Sequence, residues 1–239
     1  MLEEITKDIW AAQHPIRYMG LSLSTRMTII RTSARTLIVI SPVAINAELK
    51  QQIDALGTVE HIVAPNCYHH LYASEAKAHY PKAILWAAPG LKEKKPELPI
   101  DSVLQNGDSS LWNELEGIFF DGLKTLGFNG FDAFNEWVFF HPKSRTLILT
   151  DAAFHYDSSF PFFKRLVAKV LGSYETLRPS WLEKVATKDK ARVKASVEKV
   201  LGWDFDRVIM AHGIIIERHG KAAFRRGYEQ FLGEQIDLT

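Results

Sequence analysis

The sequence predicts a layered α/β sandwich. Short runs of β-type apolar residues alternate with segments whose apolar residues recur at helical spacing, and this alternation continues along the chain. The chain has 239 residues, of which 46% are hydrophobic and 24% are charged, so it can bury a sizeable core. This length suits one α/β domain, and we expect residues 1–239 to form a single domain.

The N-terminal half is rich in strand signals. Strands are predicted to begin at Ile5 and Met27, and the continuously apolar run 36–40 indicates a buried central strand that ends at Ser41-Pro42. Apolar residues at helical spacing predict a helix over 45–56, which Gly57 ends. The next predicted elements are a buried strand over 59–64, a loop over 65–70, a short helix over 71–79, a strand over 83–86 and a polar surface loop over 92–99.

The C-terminal half mixes strands with longer helices. Residues 141–144 separate two apolar runs and predict a hairpin turn. The predicted strands cover 117–123, 136–140, 145–150 and 206–211, and the predicted helices cover 160–172, 180–186, 187–201 and 220–232.

Side chains that can bind a metal follow three of these strands. His69 and His70 come after 59–64, Asp151 after 145–150, and His212 after 206–211. Functional groups of α/β proteins usually lie at the C-terminal ends of buried strands. Imidazole and carboxylate suit zinc, iron or manganese, and such an ion can lower the pKa of bound water to about 7, supplying a hydroxide nucleophile. The alternative is that each histidine is a hydrogen-bonded loop or core residue.

Three motifs resemble those of one family. They are VAPNCYHHL at 63–71, APGL at 88–91 and NEWVFFHPKSRTLILTD at 135–151. Together they resemble the DUF4336 family, which is placed within the metallo-β-lactamase-like fold, and the likeness extends to Ala211-His212-Gly213. The resemblance implies a four-layer αββα sandwich with its site in a groove at one edge of the two sheets.

The resemblance also implies a ligand set. His69-His70 is similar to the Asp-His pair that closes the first superfamily motif, His-x-His-x-Asp-His. Asp151 resembles the bridging aspartate, and His212 resembles the last ligand. These four residues would hold one divalent ion, which is zinc, iron or manganese.

The first two histidines of the superfamily motif are absent. In one register their places are taken by Pro65 and Cys67, and in a shifted register by Asn66 and Tyr68. We therefore expect a degenerate, mononuclear site and not the usual pair of metal ions.

Four further residues near these motifs have more than one interpretation. Glu136 is a ligand, a general base or a partner that orients a ligand, or else it pairs with Arg145 across the hairpin. His155 either reaches the site or caps a helix. Cys67 could ligate metal as a thiolate or act as a nucleophile, although the family pattern requires neither. Asn66 shapes its loop by hydrogen-bonding to the backbone or donates to a substrate oxygen.

Two segments that contain several basic residues bear on possible partners. The apolar segment 160–171, with three basic residues, could be a lid, an oligomer surface or a peripheral membrane face, but a core helix is favoured. A homo-oligomer is one of the open outcomes. Residues 184–199 carry six basic side chains, which we interpret as a solvated helix face. The net charge of +1 argues against a nucleic-acid partner.

Two functions follow from these residues. The first is a metal-dependent hydrolase of a small-molecule ester, lactone, thioester or phosphoester, with Glu136 and Asp151 as catalytic residues. The second is a non-catalytic module that binds a ligand or a protein.

No stretch approaches the ~18 apolar residues that a transmembrane helix needs. One cysteine, and no signal-peptide pattern at the N-terminus, predict a cytoplasmic protein.

Overall fold

The computed structural model describes residues 1–18, 21–105, 114–127 and 130–237. The chain divides into two compact units, Met1–Glu114 and Leu115–Thr239. A single domain over 1–239 stays a prediction.

The unit Met1–Glu114 is built on a mixed sheet, in which the described residues form seven strands in chain order. The strands are β1 Glu3–Thr6, β2 Ile9–Tyr18, β3 Leu21–Arg31, β4 Thr36–Ile40, β5 Thr58–Ala64, β6 Ile84–Ala87 and β7 Ser102–Val103. Neighbours are antiparallel from β1 to β4 and parallel from β4 to β7. Parallel neighbours need crossovers, which contain the helices α1 Ala47–Leu56, α2 Ala73–His79 and α3 Leu91–Lys94.

Helix α1 shows how local sequence signals fix an element of this unit. The side chain of Asn46 accepts a hydrogen bond from the backbone N–H of Leu49 and so caps the helix. Leu49 and Ile53, one turn apart, are buried in the apolar cluster that includes Leu37 and Ile62. The helix therefore covers the sheet next to β4 and β5, the strands that precede Ser41 and the histidine loop.

The unit Leu115–Thr239 contains a four-stranded sheet in the order β13-β12-β11-β8 and a two-stranded sheet, β10-β9, among its described residues. The strands are β8 Glu116–Phe120, β9 Lys124–Gly127, β10 Gly130–Ala133, β11 Glu136–His141, β12 Thr146–Ile148 and β13 Arg207–Ile209. The helices are α4 Phe162–Leu171, α5 Trp181–Ala186, α6 Lys190–Leu201 and α7 Gly220–Leu232. Strand β12 is antiparallel to β11 and parallel to β13. The C-terminal ends of β12 and β13 therefore meet the start of β11 at one sheet edge.

Several predicted elements are confirmed with few changes in their bounds. The strand over 36–40 and the helix over 220–232 have the predicted ends. The predicted hairpin turn is a 3₁₀ helix, Pro142–Ser144, between the antiparallel strands β11 and β12.

Other predicted elements need correction. The predicted surface loop 92–99 begins within α3, because Leu91 is fully buried and holds a helical turn against the core. The predicted strand 117–123 ends at Phe120, and Gly122 follows with a φ of +93°. The strand predicted to begin at Ile5 is interrupted after Thr6 by a turn in which Asp8 has a φ of +66°. Strands β9 and β10 were not predicted.

The interpretation of residues 160–171 as a core helix is wrong. Helix α4 forms there, but among its residues only Ala168 is buried, whereas Phe162 and Val170 are 72% and 74% exposed.

In the described parts of the chain, no helix combines the length and the apolar character needed to cross a membrane.

Candidate metal centre

Asp151 and His212 lie together in the unit Leu115–Thr239. Asp151 follows β12 and His212 follows β13, and these strands are parallel neighbours, so both side chains emerge at the same sheet edge. The Oδ1 atom of Asp151 is 3.3 Å from Nε2 of His212, and the side chains are only 8% and 10% exposed. The structure thus joins two of the four predicted ligands.

The spacing of this pair fits a shared metal ion better than a direct hydrogen bond. A charge-assisted N–H···O bond is usually about 2.7–2.9 Å long. Two ligand atoms at about 2.0–2.2 Å from a tetrahedral zinc ion lie roughly 3.3–3.6 Å apart. The 3.3 Å between Asp151 and His212 falls in the second range. Carboxylate and imidazole also match the ligand preference of zinc, iron and manganese.

Glu136 holds the backbone of Asp151. It is fully buried at the start of β11, where its Oε1 accepts the N–H of Thr150 and its Oε2 accepts the N–H of Asp151, each at 2.8 Å. Both carboxylate oxygens therefore bind the segment that carries Asp151. The alternative pairing with Arg145 does not occur among these contacts, since the Arg145 guanidinium binds Asp204 at 2.9 Å. Of the predicted roles, the geometry matches an orienting partner.

The backbone of His155 packs closely against the segment that follows His212, at Gly213 and Ile214. Gly213 has a φ of +107°, and a Cβ placed on it would lie 2.0 Å from the carbonyl oxygen of His155. Glycine is therefore required after His212, because both the conformation and the space exclude a side chain. Ile214 donates its N–H to the carbonyl of His155 at 2.8 Å. Burial lowers the pKa of the His155 imidazole, and a separate hydrogen bond between that ring and the backbone of Ile214, with the nearby carboxylates Asp157 and Glu175, opposes the shift.

His69 lies in the other unit, Met1–Glu114, where Ser41 orients it. The Nδ1 atom of His69 is 2.7 Å from Oγ of Ser41. Ser41 follows β4 and His69 follows β5, so two parallel strands again bring the pair to one edge. This bond fixes the ring orientation of His69. Metal-ligating histidines commonly use their other ring nitrogen in this way.

Asn66 shapes the loop before His69. Its Oδ1 accepts the backbone N–H of Tyr68 at 2.8 Å and that of His69 at 2.7 Å, and the residue is fully buried. An Asx turn of this kind fixes the path of the loop. This is the loop-shaping arrangement, one of the two interpretations of Asn66.

Cys67 has a packing environment. The side chain is 5% exposed and belongs to a small apolar cluster with Ala64, Ala87 and Leu91. Its thiol donates to the carbonyl of Pro89 at 3.6 Å. These contacts favour a structural role for Cys67 over the two chemical ones.

His70 is half-buried directly before α2. Burial lowers its pKa to about 4, and the positive charges of Lys95 and Lys94 contribute in the same direction. The imidazole is therefore neutral at pH 7, as a metal ligand has to be. Of the two adjacent histidines, His69 is the one whose ring is hydrogen-bonded to the Ser41 hydroxyl.

Sequence reasoning missed two residues of these arrangements. Ser41 was noted only as a strand end, although it follows a strand that neighbours the one before His69. Tyr228 is fully buried in α7 and its hydroxyl donates to the carbonyl of Ala152, next to Asp151. Burial, with the charges of Glu136 and Glu183, raises the pKa of Tyr228 well above its usual value, so the phenol stays protonated. No local signal in the sequence connects α7 to this segment.

One family model matches the chain. The model described as "Domain of unknown function (DUF4336)" matches residues 6–175. No curated protein matches the chain in sequence.

Solved structures with a similar fold include metallo-β-lactamases. FIM-1 from Pseudomonas aeruginosa in its mono-zinc form has a TM-score of 0.63 at 14% identity, over 97% of this chain and 96% of that chain. The enzyme from Pontibacter korlensis has a TM-score of 0.66 at 13% identity, over 98% and 99%. That from Erythrobacter litoralis, with β-mercaptoethanol in its active site, has 0.66 at 14%, over 96% of each chain. The predicted metallo-β-lactamase-like fold is confirmed.

Proposed function

Because the chain belongs to the DUF4336 family and has a metallo-β-lactamase-like fold, we propose that it is a mononuclear metal-dependent hydrolase. The ion is zinc, iron or manganese, and its ligands are His69, His70, Asp151 and His212. The substrate is a small molecule with an ester, lactone, thioester or phosphoester bond. The observation that carries the proposal is the buried Asp151–His212 pair with ligand atoms 3.3 Å apart.

The residues around the ligands have positioning roles in this proposal. Ser41 engages Nδ1 of His69, which makes Nε2 the ligand nitrogen of that ring. Glu136 accepts the backbone N–H of Asp151 and so holds in place the backbone from which the Asp151 carboxylate extends. When bound, a divalent ion supplies Lewis acidity, which polarises a substrate oxygen and lowers the pKa of water.

The similarity to FIM-1 supports a single ion. That enzyme has been solved in a mono-zinc form, and its fold covers 97% of this chain. In either register of the first superfamily motif, its first two histidines are absent from this chain. In the register that places Cys67 at one of them, the thiol lies in an apolar cluster. Both points favour one ion over two.

Metal content measured by inductively coupled plasma mass spectrometry tests the ligand set. Untagged protein should contain about one equivalent of divalent metal, and His212→Ala and Asp151→Asn should each lose most of it. His79→Ala is the matched control, because His79 pairs with Glu75 on α2 and belongs to no predicted ligand set. Protein without metal after reconstitution, or full occupancy in both ligand variants, would contradict the proposal.

The packing of Cys67 also supports a second candidate, the non-catalytic binding module. A panel of esters, lactones, thioesters and phosphoesters separates the two functions. Turnover that is abolished in His69→Ala, with folding verified by circular dichroism, supports the hydrolase. A metal-loaded protein without turnover on any of these bonds favours the binding module.

A cytoplasmic location is part of the same proposal. It is supported by the single cysteine, Cys67, which is buried as a free thiol and can form no internal disulfide.

The near-neutral net charge of +1 supports a small-molecule ligand over nucleic acid.

A further inference from the structure

Helices α4 and α5 expose large apolar side chains. On α4, Phe162, Leu166 and Val170 recur every fourth residue and form one stripe, with exposures of 72%, 48% and 74%. Phe163 beside the stripe is 64% exposed. Such a cluster on one helix is more than the scattered single apolar residues of ordinary protein surfaces.

Helix α5 extends this surface. It packs against α4, and it exposes Trp181 and Val185, which are one turn apart, together with Leu182. We call the exposed apolar residues of the two helices the α4–α5 patch: Phe162, Phe163, Leu166, Val170, Trp181, Leu182 and Val185.

The exposed charges on helices α4 and α5 are positive. Helix α4 contains Lys164, Arg165 and Lys169 and no acidic residue. The one acidic residue of α5, Glu183, is 4% exposed, and its carboxylate is engaged by Ser180 and by Thr125. The patch therefore presents cations and apolar groups to solvent, without exposed carboxylates on either helix.

The basic side chains lie beside aromatic rings. The guanidinium of Arg165 is 5.9 Å from the ring centre of Phe162, and Nζ of Lys169 is 4.7 Å from that of Tyr174. Their aliphatic stems can cover apolar surface while the charged groups extend outward, as basic residues do at a lipid interface.

The combination of exposed apolar side chains and positive charges indicates which kind of partner the α4–α5 patch binds. A second copy of the chain on a two-fold axis would bring the same patch, with its own Lys164, Arg165 and Lys169, against this one, and like charges oppose that contact. An anionic lipid surface attracts the same cations, and its headgroup region accepts Phe and Trp side chains. We propose that the α4–α5 patch is a peripheral membrane-binding surface for bilayers that contain anionic lipids.

Binding to vesicles tests the proposal. The wild-type protein should co-sediment with vesicles of two parts phosphatidylcholine to one part phosphatidylglycerol, and not with phosphatidylcholine alone. Binding should weaken as NaCl is raised, because the Debye length falls from about 10 Å at 0.1 M to about 3 Å at 1 M. Equal binding to both vesicles, or binding to neither, would overturn the proposal.

Two variants assign the binding to this surface. Lys164→Glu with Lys169→Glu should lower the partition coefficient by at least roughly 30-fold, since each basic residue contributes about 1 kcal/mol at an anionic surface. Lys82→Glu with Lys92→Glu changes the net charge equally at exposed positions outside the patch. Because it keeps both patch cations, it should bind at least roughly ten times more tightly than the patch variant. Equal losses in the two double variants would mean that net charge alone drives binding.

The apolar residues are tested separately. Phe162→Ser and Phe163→Ser, both at exposed sites, should abolish vesicle binding, whereas Phe131→Ser should not. Phe131 is 48% exposed and is paired with Leu126 on β9. The residue before Leu126, Thr125, is hydrogen-bonded to Glu183 of α5, and successive residues of a strand face opposite sides of the sheet. Leu126 and its partner Phe131 therefore lie on the face that is turned away from α5. Trp181 should give a blue shift of fluorescence on binding that is lost in Trp181→Phe. If the Phe162→Ser substitution instead converts a dimer to a monomer and leaves vesicle binding intact, the patch is a self-association surface and the proposal fails.

Discussion

At the scale of single residues, Ser41 and Glu136 act through the groups that they bind. Ser41 engages Nδ1 of His69, and Glu136 accepts the N–H groups of Thr150 and Asp151 with both of its oxygens. The first bond orients the ring of a proposed ligand, and the other two hold the backbone that carries another, before any ion binds. The proposed site therefore depends on residues that would not themselves touch the metal.

Ser41→Ala should weaken metal binding without removing a ligand. Loss of the bond to Nδ1 leaves the His69 ring less well oriented, and a change of this kind typically costs about 10–100-fold in metal affinity. Competition against a chromophoric chelator measures the affinity.

Ser144→Ala is the matched control for Ser41→Ala. It removes a bond of similar length, 2.8 Å, between a serine hydroxyl and Nδ1 of His141, at the opposite end of β11 from Glu136. The metal affinity of Ser144→Ala should equal that of the wild type. Equal losses in both variants would show that Ser41 has no specific role in orienting a ligand.

At the scale of elements, α5 is fixed by a capping box that buries a carboxyl group. Ser180 caps the helix, Glu183 accepts the N–H of Ser180 at 2.8 Å, and Thr125 of β9 donates its hydroxyl to Glu183 at 2.9 Å. Burial raises the pKa of Glu183 above its ordinary value of 4.5, although these hydrogen bonds oppose the shift. One side chain thus joins α5, which carries part of the α4–α5 patch, to the two-stranded sheet.

Glu183 should make stability depend on pH. Its folded pKa is above its unfolded pKa, so the stability from the protonated form is fully present below about 4.5 and is lost as the pH rises through the folded pKa. Glu183→Gln keeps an acceptor but cannot ionise. The free energy of unfolding of the wild type, minus that of Glu183→Gln, should therefore fall with rising pH across this window.

Urea unfolding at a series of pH values measures this difference. Glu93→Gln, which removes one exposed negative charge on α3, is the control for the general effect of net charge. Parallel stability curves for the wild type and Glu183→Gln, from acid to neutral pH, would contradict the assigned burial effect.

At the scale of the whole molecule, strand direction determines which residues meet. Within Met1–Glu114 the parallel pair β4–β5 brings Ser41 to His69, and within Leu115–Thr239 the parallel pair β12–β13 brings Asp151 to His212. In both units the candidate ligands lie just beyond a strand, where the backbone is held by the sheet. Ligand binding should therefore be linked to the stability of the fold.

Metal binding should raise the melting temperature. An ion that binds only the folded chain contributes about 2.7 kcal/mol when its free concentration is about 100 times its Kd. For a chain of this size, that corresponds to roughly 5–10 °C. Differential scanning calorimetry with zinc and after chelation measures the shift. Asp151→Asn should show little or no shift, and a shift of full size in that variant would remove Asp151 from the ligand set.

Many of the secondary-structure elements could be predicted, because their signals are local. The continuous apolar run of β4 and the helical spacing of α7 gave the bounds found in the structure. Strands β9 and β10 were missed because they are short, and their residues are mostly exposed or polar. The exposure of α4 was also missed, because an apolar stripe has the same pattern whether it faces a core or solvent.

The sequence identified the candidate residues, but it did not predict which of them lie in contact. The positions of His69, His70, Asp151 and His212 after strands, and the resemblance to DUF4336, follow from residues that are close together along the chain. The Asp151–His212 spacing, the bond from Ser41 to His69 and the engagement of both oxygens of Glu136 join residues far apart in sequence. The sequence by itself determined which chemical groups are available and where strands present them. Only the tertiary structure decided which groups meet, because strand order and direction arise from long-range pairing that no local pattern encodes.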